Sequence, residues 1–250
     1  MSRDAWWKAE TPQRLARASG PAGGVWGVKA GDSFLIVTEG TVTEPTYLKF
    51  LRRDLQLSTV SIKIISGKTS DPFHVINSAS RAAKDQLQKA KRGDLGNTEP
   101  IKFDHVWAVI DTDVAVRNSC WDKVETLAKS CKVKLAYSSP CFEYWLLLHF
   151  EYTTKSLKDG HAAKTALKHK LDGEYSTKEK DATKAMEQLI PNWPQAVING
   201  ERVRKHHQKV LTPMPANPST EVCTLARALN ESAPAHLRKP LPPPITHDLP

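Results

Sequence analysis

The sequence has no long hydrophobic run. Its longest apolar stretch, around residues 144–150, is much shorter than the roughly 20 residues that a membrane-spanning helix requires. The first residues are basic and include Trp6 and Trp7, but they contain no continuous apolar segment with a small-residue cleavage site. These absences predict a cytoplasmic protein without a membrane partner.

Cysteine pairs and a glycine-rich phosphate loop are also missing. The four cysteines have neither the spacing of a CxxC motif nor that of a Cys/His zinc site: Cys120, Cys131, Cys141 and Cys223. Residues 66–70, Ser-Gly-Lys-Thr-Ser, resemble the end of a P-loop, but Ile62 stands where that motif requires its first glycine. The sequence therefore predicts reduced thiols and excludes nucleotide binding by a P-loop.

Basic residues, by contrast, are in excess. Lysine and arginine number 36 against 27 acidic residues, which gives a net charge of +9 and an isoelectric point near 9.3. This excess predicts a polyanionic partner, here nucleic acid, although it also serves simple solubility. A dense basic run at residues 202–209 is either a phosphate-contacting helix or a solvated face, and its cations are Arg202, Arg204, Lys205 and Lys209.

Four apolar runs rich in β-branched residues alternate with segments of helical spacing. The runs occupy residues 33–38, 61–65, 105–110 and 133–137, and the first three helices are expected at 44–55, 71–91 and 120–130. Continuous apolar strands that alternate with helices predict an α/β fold with a mostly parallel sheet flanked by helices. Right-handed crossovers are expected to connect the parallel strands.

The second half of the chain has helical spacing. A buried helix is expected at 141–150, followed by helices at 161–171, 181–189 and 195–211. A last helix is expected to begin with Asn217 as its N-cap and Pro218 in its first turn. We therefore divide the chain into a flexible basic arm (1–31), an α/β core (32–150), a helical carboxy-terminal region (151–230) and a Pro-rich disordered tail (231–250).

Acidic residues stand where two of the predicted strands end. Glu39 follows the first strand, and Asp111 and Asp113 follow the third. Because parallel strands end at one edge of the sheet, and residues two apart on an extended chain point the same way, these carboxylates are expected to meet. Such a cluster repels itself unless a cation shares it, and oxygen ligands suit Mg²⁺ or Mn²⁺. The alternative is that these residues only end strands and cap turns.

Three further residues are secondary candidates. Glu143 and His149 lie in an apolar segment, where they need polar partners, so they either line the site or form a satisfied structural pair. Glu44 stands beside Pro45 at a predicted helix start and is expected to serve that helix amino terminus.

Four segments of the sequence resemble the RloB-like family of restriction-associated and abortive-infection loci. They are residues 36–47, the strand that ends in Asp111-Thr112-Asp113, residues 139–150 and residues 217–220. The resemblance implies a Toprim-like core, metal-dependent nuclease activity in anti-phage defence and an ATPase partner protein. It also implies that Glu39 is a general acid/base and possible metal ligand, and that Asp111 and Asp113 bind Mg²⁺.

Three functions remain open at this point. The leading one is a Mg²⁺-dependent nuclease. The second is a non-catalytic module that binds nucleic acid or the ATPase partner through a degenerate metal site, because Thr112 and the apolar residues 114–116 depart from the polar pattern of the relatives. The third is a phosphatase or nucleotide hydrolase that uses the same carboxylates.

Overall fold

A computed structural model describes residues 28–58, 62–66, 71–96, 99–173 and 175–244. Within them, a five-stranded sheet has the order β2-β1-β3-β4-β5. The first four strands are parallel and the fifth is antiparallel: β1 (Phe34–Thr38), β2 (Ile62–Ser66), β3 (His105–Asp111), β4 (Lys134–Ser139) and β5 (Ser219–Thr220). The predicted mostly parallel α/β fold is confirmed.

Helices cover both faces of this sheet and form the carboxy-terminal region. In chain order the α-helices of the described residues are α1 (Thr43–Asp54), α2 (Pro72–Arg92), α3 (Asp113–Arg117), α4 (Trp121–Cys131), α5 (Phe142–Leu147), α6 (Gly160–Lys170), α7 (Glu179–Leu189), α8 (Trp193–Lys209) and α9 (Val222–Ser232). No helix in this part of the chain is long and apolar enough to cross a membrane.

Side chains of the central strands are buried on both faces of the sheet. On β1, Leu35 and Val37 pack with α2 and α4, while Phe34 and Ile36 pack with α1 and the carboxy-terminal helices. Alternate residues of a strand point to opposite faces, so a strand covered on both sides must be apolar throughout. This is why the strands appear as continuous apolar runs in the sequence.

The predicted helix at residues 141–150 is shorter than expected. α5 ends at Leu147, and the next residues form turns in which the N–H groups of His149 and Phe150 donate to the carbonyls of Leu146 and Leu147. Bonds to the third preceding residue tighten the backbone and end the α-helix. All six residues of α5 are buried, as the apolar sequence predicts.

The predicted start of the last helix is wrong. Asn217 does not cap it; the Asn217 side chain bonds the backbone N–H and carbonyl of Leu157 instead. β5 then adds to the edge of the sheet, and α9 begins only at Val222, whose N–H donates to Thr220 Oγ1 at 3.1 Å. Backbone pairing with β4 thus occupies the residues that would have formed the first helical turn.

The two chain ends are described only in part. Residues 1–27 of the predicted basic arm and residues 245–250 of the predicted tail lie outside the described residues. Residues 233–244 follow α9: the backbone N–H and carbonyl of Lys239 bond the Asn230 side chain, and Leu241 packs against the core.

Candidate active site

The ends of β1 and β3 bring Glu39 and Asp111 into contact. The two strands are parallel neighbours, and the Glu39 N–H donates to the carbonyl of Val109 at 2.9 Å. The Asp111 N–H in turn donates to Glu39 Oε2 at 3.1 Å, and Asp111 Oδ1 accepts the N–H of Phe142 at 2.9 Å. Strand pairing and the start of α5 therefore fix both carboxylates at the carboxyl edge of the sheet.

Two further carboxylates join them. Glu44, in the first turn of α1 as predicted, accepts the N–H of Gly40 with Oε1 at 3.3 Å. A Cβ atom at Gly40 would collide with the Glu44 carboxylate, so glycine is required for this approach. Glu143, from the first turn of α5, lines the same cleft of about 280 Å³ as Glu39, Glu44 and Asp111.

Burial and mutual repulsion favour the neutral form of the carboxyl groups of Glu39, Glu44 and Asp111. Burial raises the pKa of Glu39 to about 8, against a partly compensating bond from the Asp111 N–H, and Glu44 and Asp113 add repulsion. Burial first, and the neighbouring carboxylates second, hold the pKa of Asp111 well above its usual range. The pKa of Glu44 is raised mainly by burial as well. Protons are therefore bound in this cleft near neutral pH, where a cation would compete with them.

The helical carboxy-terminal region adds a cation to the cleft lining and a phenol that bonds one of its carboxylates. Lys164 of α6 lies in the lining, with Nζ 4.0 Å from Glu143 Oε1. The hydroxyl of Tyr175 donates to Glu143 Oε1 at 2.9 Å and lies 3.4 Å from Thr43 Oγ1. Sequence reasoning missed both residues, since Lys164 is one of many lysines and Tyr175 stands in a segment without a motif.

Asp113 lies outside the cleft lining. The expectation of an extended chain through Asp111 and Asp113 is wrong, because the backbone turns into α3 at Asp113. Its side chain is exposed and Oδ1 accepts the N–H of Val114 at 2.7 Å. Asp113 is nevertheless close enough for its charge to raise the pKa of both Glu39 and Asp111.

His149 is a buried residue that does not line the cleft. Its ring lies 3.2 Å from the Tyr47 hydroxyl and 3.2 Å from the Trp145 carbonyl oxygen. Burial lowers the pKa of His149 to about 4, so the imidazole is neutral at physiological pH. Of the two polar residues singled out in this apolar segment, the structure therefore brings only Glu143 to the site.

The basic run on α8 does not line the cleft either. Arg204 is partly buried and donates to Glu221 Oε2 at 3.3 Å, so this guanidinium already has a carboxylate partner. Arg202 lies over the ring of Tyr152, 4.1 Å from its centroid. The other two cations, Lys205 and Lys209, are exposed.

The donor chemistry of the cleft suits a hard divalent cation. Its side-chain ligands would all be carboxylate oxygens, which Mg²⁺ and Mn²⁺ prefer. Within the described ranges, no three His, Cys, Asp or Glu side chains are already arranged to hold a metal ion. Glu39, Glu44 and Asp111 each use one oxygen to accept a backbone N–H, which leaves the other oxygen of each carboxylate as a possible ligand.

Comparison with curated proteins found no match, and neither did comparison with solved structures. A family model, described as RloB-like protein, matches residues 34–229 of the 250. The match begins at the first residue of β1 and ends within α9, so it includes the sheet, the carboxylate cleft and the carboxy-terminal helices. This chain belongs to the RloB-like family.

Proposed function

We propose that this protein is a metal-dependent nuclease that hydrolyses phosphodiester bonds in nucleic acid. The observation that carries the proposal is the cleft in which Glu39, Glu44, Asp111 and Glu143 meet at the carboxyl edge of a parallel sheet. Ligand sites of open α/β sheets lie at this edge. The acidic cleft by itself would repel a polyanionic substrate. The net charge of +9 on the whole chain offsets this repulsion and so supports such a substrate.

In this proposal Glu39 and Asp111 hold the cation, which is Mg²⁺ or Mn²⁺. When bound, the ion would neutralise phosphate charge and orient an attacking water. Glu39 is also the proposed general acid/base, as the family resemblance implies; burial raises its pKa to about 8 in the ion-free cleft, and a bound cation would lower that value. Lys164 attracts the phosphate, and Tyr175 orients the carboxylate of Glu143 by its hydrogen bond.

The third carboxylate ligand has two candidates. The family resemblance implies Asp113, which is exposed and outside the cleft lining, whereas Glu143 is part of that lining. We propose Glu143 as the nearer ligand, since its carboxylate is buried and held by Tyr175. Replacing each residue by its amide, Asp113→Asn or Glu143→Gln, compares the two candidates without altering side-chain size.

A cleavage assay tests the proposed activity. The substrates are end-labelled single-stranded and duplex DNA and RNA, with Mg²⁺ or Mn²⁺ supplied. Glu39→Gln and Asp111→Asn should each reduce cleavage at least about 100-fold, and Glu143→Gln should reduce it more than Asp113→Asn. Absence of metal-dependent cleavage by the wild-type protein, with its ATPase partner present, would contradict the proposal, as would full activity of the Asp111→Asn variant.

The second proposal is a non-catalytic binding module. It is favoured by the absence, within the described residues, of three acidic, His or Cys side chains already arranged around a metal ion. In that case labelled nucleic acid or the ATPase partner would bind equally well to the wild type and Asp111→Asn, and no divalent cation would produce cleavage.

The biological setting rests on the resemblance alone. We propose that the protein acts in the cytoplasm as the effector of an abortive-infection system, together with an ATPase encoded at the same locus. Loss of phage protection on expressing Asp111→Asn beside the intact ATPase would support this role. Equal protection by the variant would contradict it.

A further inference from the structure

A second cavity adjoins the carboxylate cleft. It lies between α6 and α7 and has a volume of about 690 Å³, within the range of roughly 300–1,000 Å³ typical of ligand sites. Three lysines line it: Lys168 of α6, and Lys180 and Lys184 of α7. We call this cavity the α6–α7 groove.

The groove and the carboxylate cleft share a wall. Tyr175 lines the groove, while its hydroxyl donates to Glu143 Oε1 in the cleft. On α6, Lys164 lines the cleft and Lys168 lines the groove. These two lysines are four residues apart, so they stand one turn apart on the same helix face. Lysine side chains thus extend from the carboxylates into the groove.

The charges of the two cavities are of opposite sign. α6 contains no Asp or Glu, and Lys168 and Lys180 are exposed at the groove. Two acidic residues, Asp181 and Glu187, also line the groove, so its three lysines leave it one net positive charge. A ligand that spans both cavities would therefore place negative groups in the groove and one reacting group at the carboxylates.

We infer that the α6–α7 groove binds the sugar–phosphate backbone of a nucleic-acid strand next to the phosphodiester group that enters the carboxylate cleft. The inference deepens the proposed nuclease function and rests on it. Lys164, Lys168 and Lys180 supply the phosphate contacts. The basic run of α8 shares no lining residue with the cleft, and it pairs Arg204 with Glu221, so it lies off this path.

The test is the salt dependence of oligonucleotide binding. Fluorescence anisotropy of a labelled single-stranded oligonucleotide is measured on the full chain, in EDTA so that cleavage does not interfere. Each lost phosphate contact lowers the slope of log K against log salt by about 0.7 for a single strand. Lys168→Ala with Lys180→Ala should thus lower it by about 1.4 and weaken binding roughly 25-fold near 0.1 M salt, relative to a reference of about 1 M.

A matched variant controls for net charge. Lys123→Ala with Lys129→Ala also removes two exposed helical lysines, but from α4 on the opposite face of the sheet. We expect its salt slope to match that of the wild type. Equal loss of affinity in the α4 variant would overturn the inference, because only total charge would then matter.

The remaining outcomes separate the inference from the proposed activity. Loss of binding in Arg202→Ala with Lys205→Ala, with the groove variant unaffected, would overturn the groove and support the α8 run. If the groove variant shows the expected loss of oligonucleotide affinity but the wild type shows no metal-dependent cleavage, the groove is supported and the nuclease is contradicted. Metal-dependent cleavage by the wild type, together with unchanged oligonucleotide binding by the groove variant, would support the nuclease and overturn the groove. A wild-type protein that binds no oligonucleotide would contradict both.

Discussion

Replacing Glu39 by glutamine should change how stability depends on pH. The folded chain raises the pKa of Glu39 from an ordinary value of 4.5 to about 8, mainly by burial. A folded state that holds a proton more tightly than the unfolded chain loses stability as pH rises through this window. The ionisation of Glu39 therefore lowers the free energy of unfolding progressively between about pH 4.5 and 8. Above pH 8 this destabilisation stays constant.

The size of the effect follows from the gap between the two pKa values. At 1.36 kcal/mol for each pKa unit, Glu39 lowers the free energy of unfolding by roughly 5 kcal/mol once it is fully ionised. Glutamine has the same shape, and its side-chain oxygen can still accept the Asp111 N–H. We expect Glu39→Gln to be within about 1 kcal/mol of the wild type near pH 5 and about 3 to 5 kcal/mol more stable near pH 9.

Urea unfolding measured by tryptophan fluorescence at several pH values between 5 and 9, with a chelator present, gives these free energies. Glu179→Gln, on the exposed start of α7, is the matched control and should retain the wild-type pH profile. Parallel pH profiles for the wild type and Glu39→Gln would refute the reasoning, because the buried carboxyl would then have an ordinary pKa.

Three further substitutions test other parts of the structure. Tyr175→Phe removes the hydroxyl that donates to Glu143. It should lower the cleavage rate about 10-fold and the free energy of unfolding by only about 1 kcal/mol. An unchanged cleavage rate would contradict the proposal that Tyr175 positions Glu143. Gly40→Ala should displace the Glu44 carboxylate and weaken Mg²⁺ binding. Gly96→Ala, where an added Cβ would meet only Glu99 Cγ at 3.9 Å, should leave metal affinity unchanged in the same titration. Arg227→Met leaves the carboxylate partner of Arg227 on α8 buried and unpaired. Urea denaturation should show a free energy of unfolding lower by about 3 to 5 kcal/mol, and a decrease under 1 kcal/mol would contradict this.

The sequence predicted the sheet well because burial on both faces leaves a direct signal. β1 and β3 appear as continuous apolar runs, and each predicted strand matches the structure to within two residues at either end. The misplaced start of α9 has a different cause. Asn217 and Pro218 have the local chemistry of a helix start, but pairing of Ser219 with Ser139 of β4 is a long-range contact that local patterns do not record.

The site could be predicted only where it depends on strand order. Glu39 and Asp111 follow neighbouring parallel strands, so their meeting follows from topology. The placement of Asp113 depended on the backbone after β3, which bends into α3. The approach of Tyr175 to Glu143 joins residues 32 apart through the packing of the helical region, for which the sequence has no periodic signal.

Calorimetric titration with Mg²⁺ or Mn²⁺ tests the central claim, that the clustered carboxylates form a cation site. The wild type should bind the ion and release protons, so that the measured heat depends on the ionisation enthalpy of the buffer. The double variant Glu39→Gln with Asp111→Asn should lose this binding. Failure of the wild type to bind even with nucleic acid present, or equal binding by the double variant, would contradict the account.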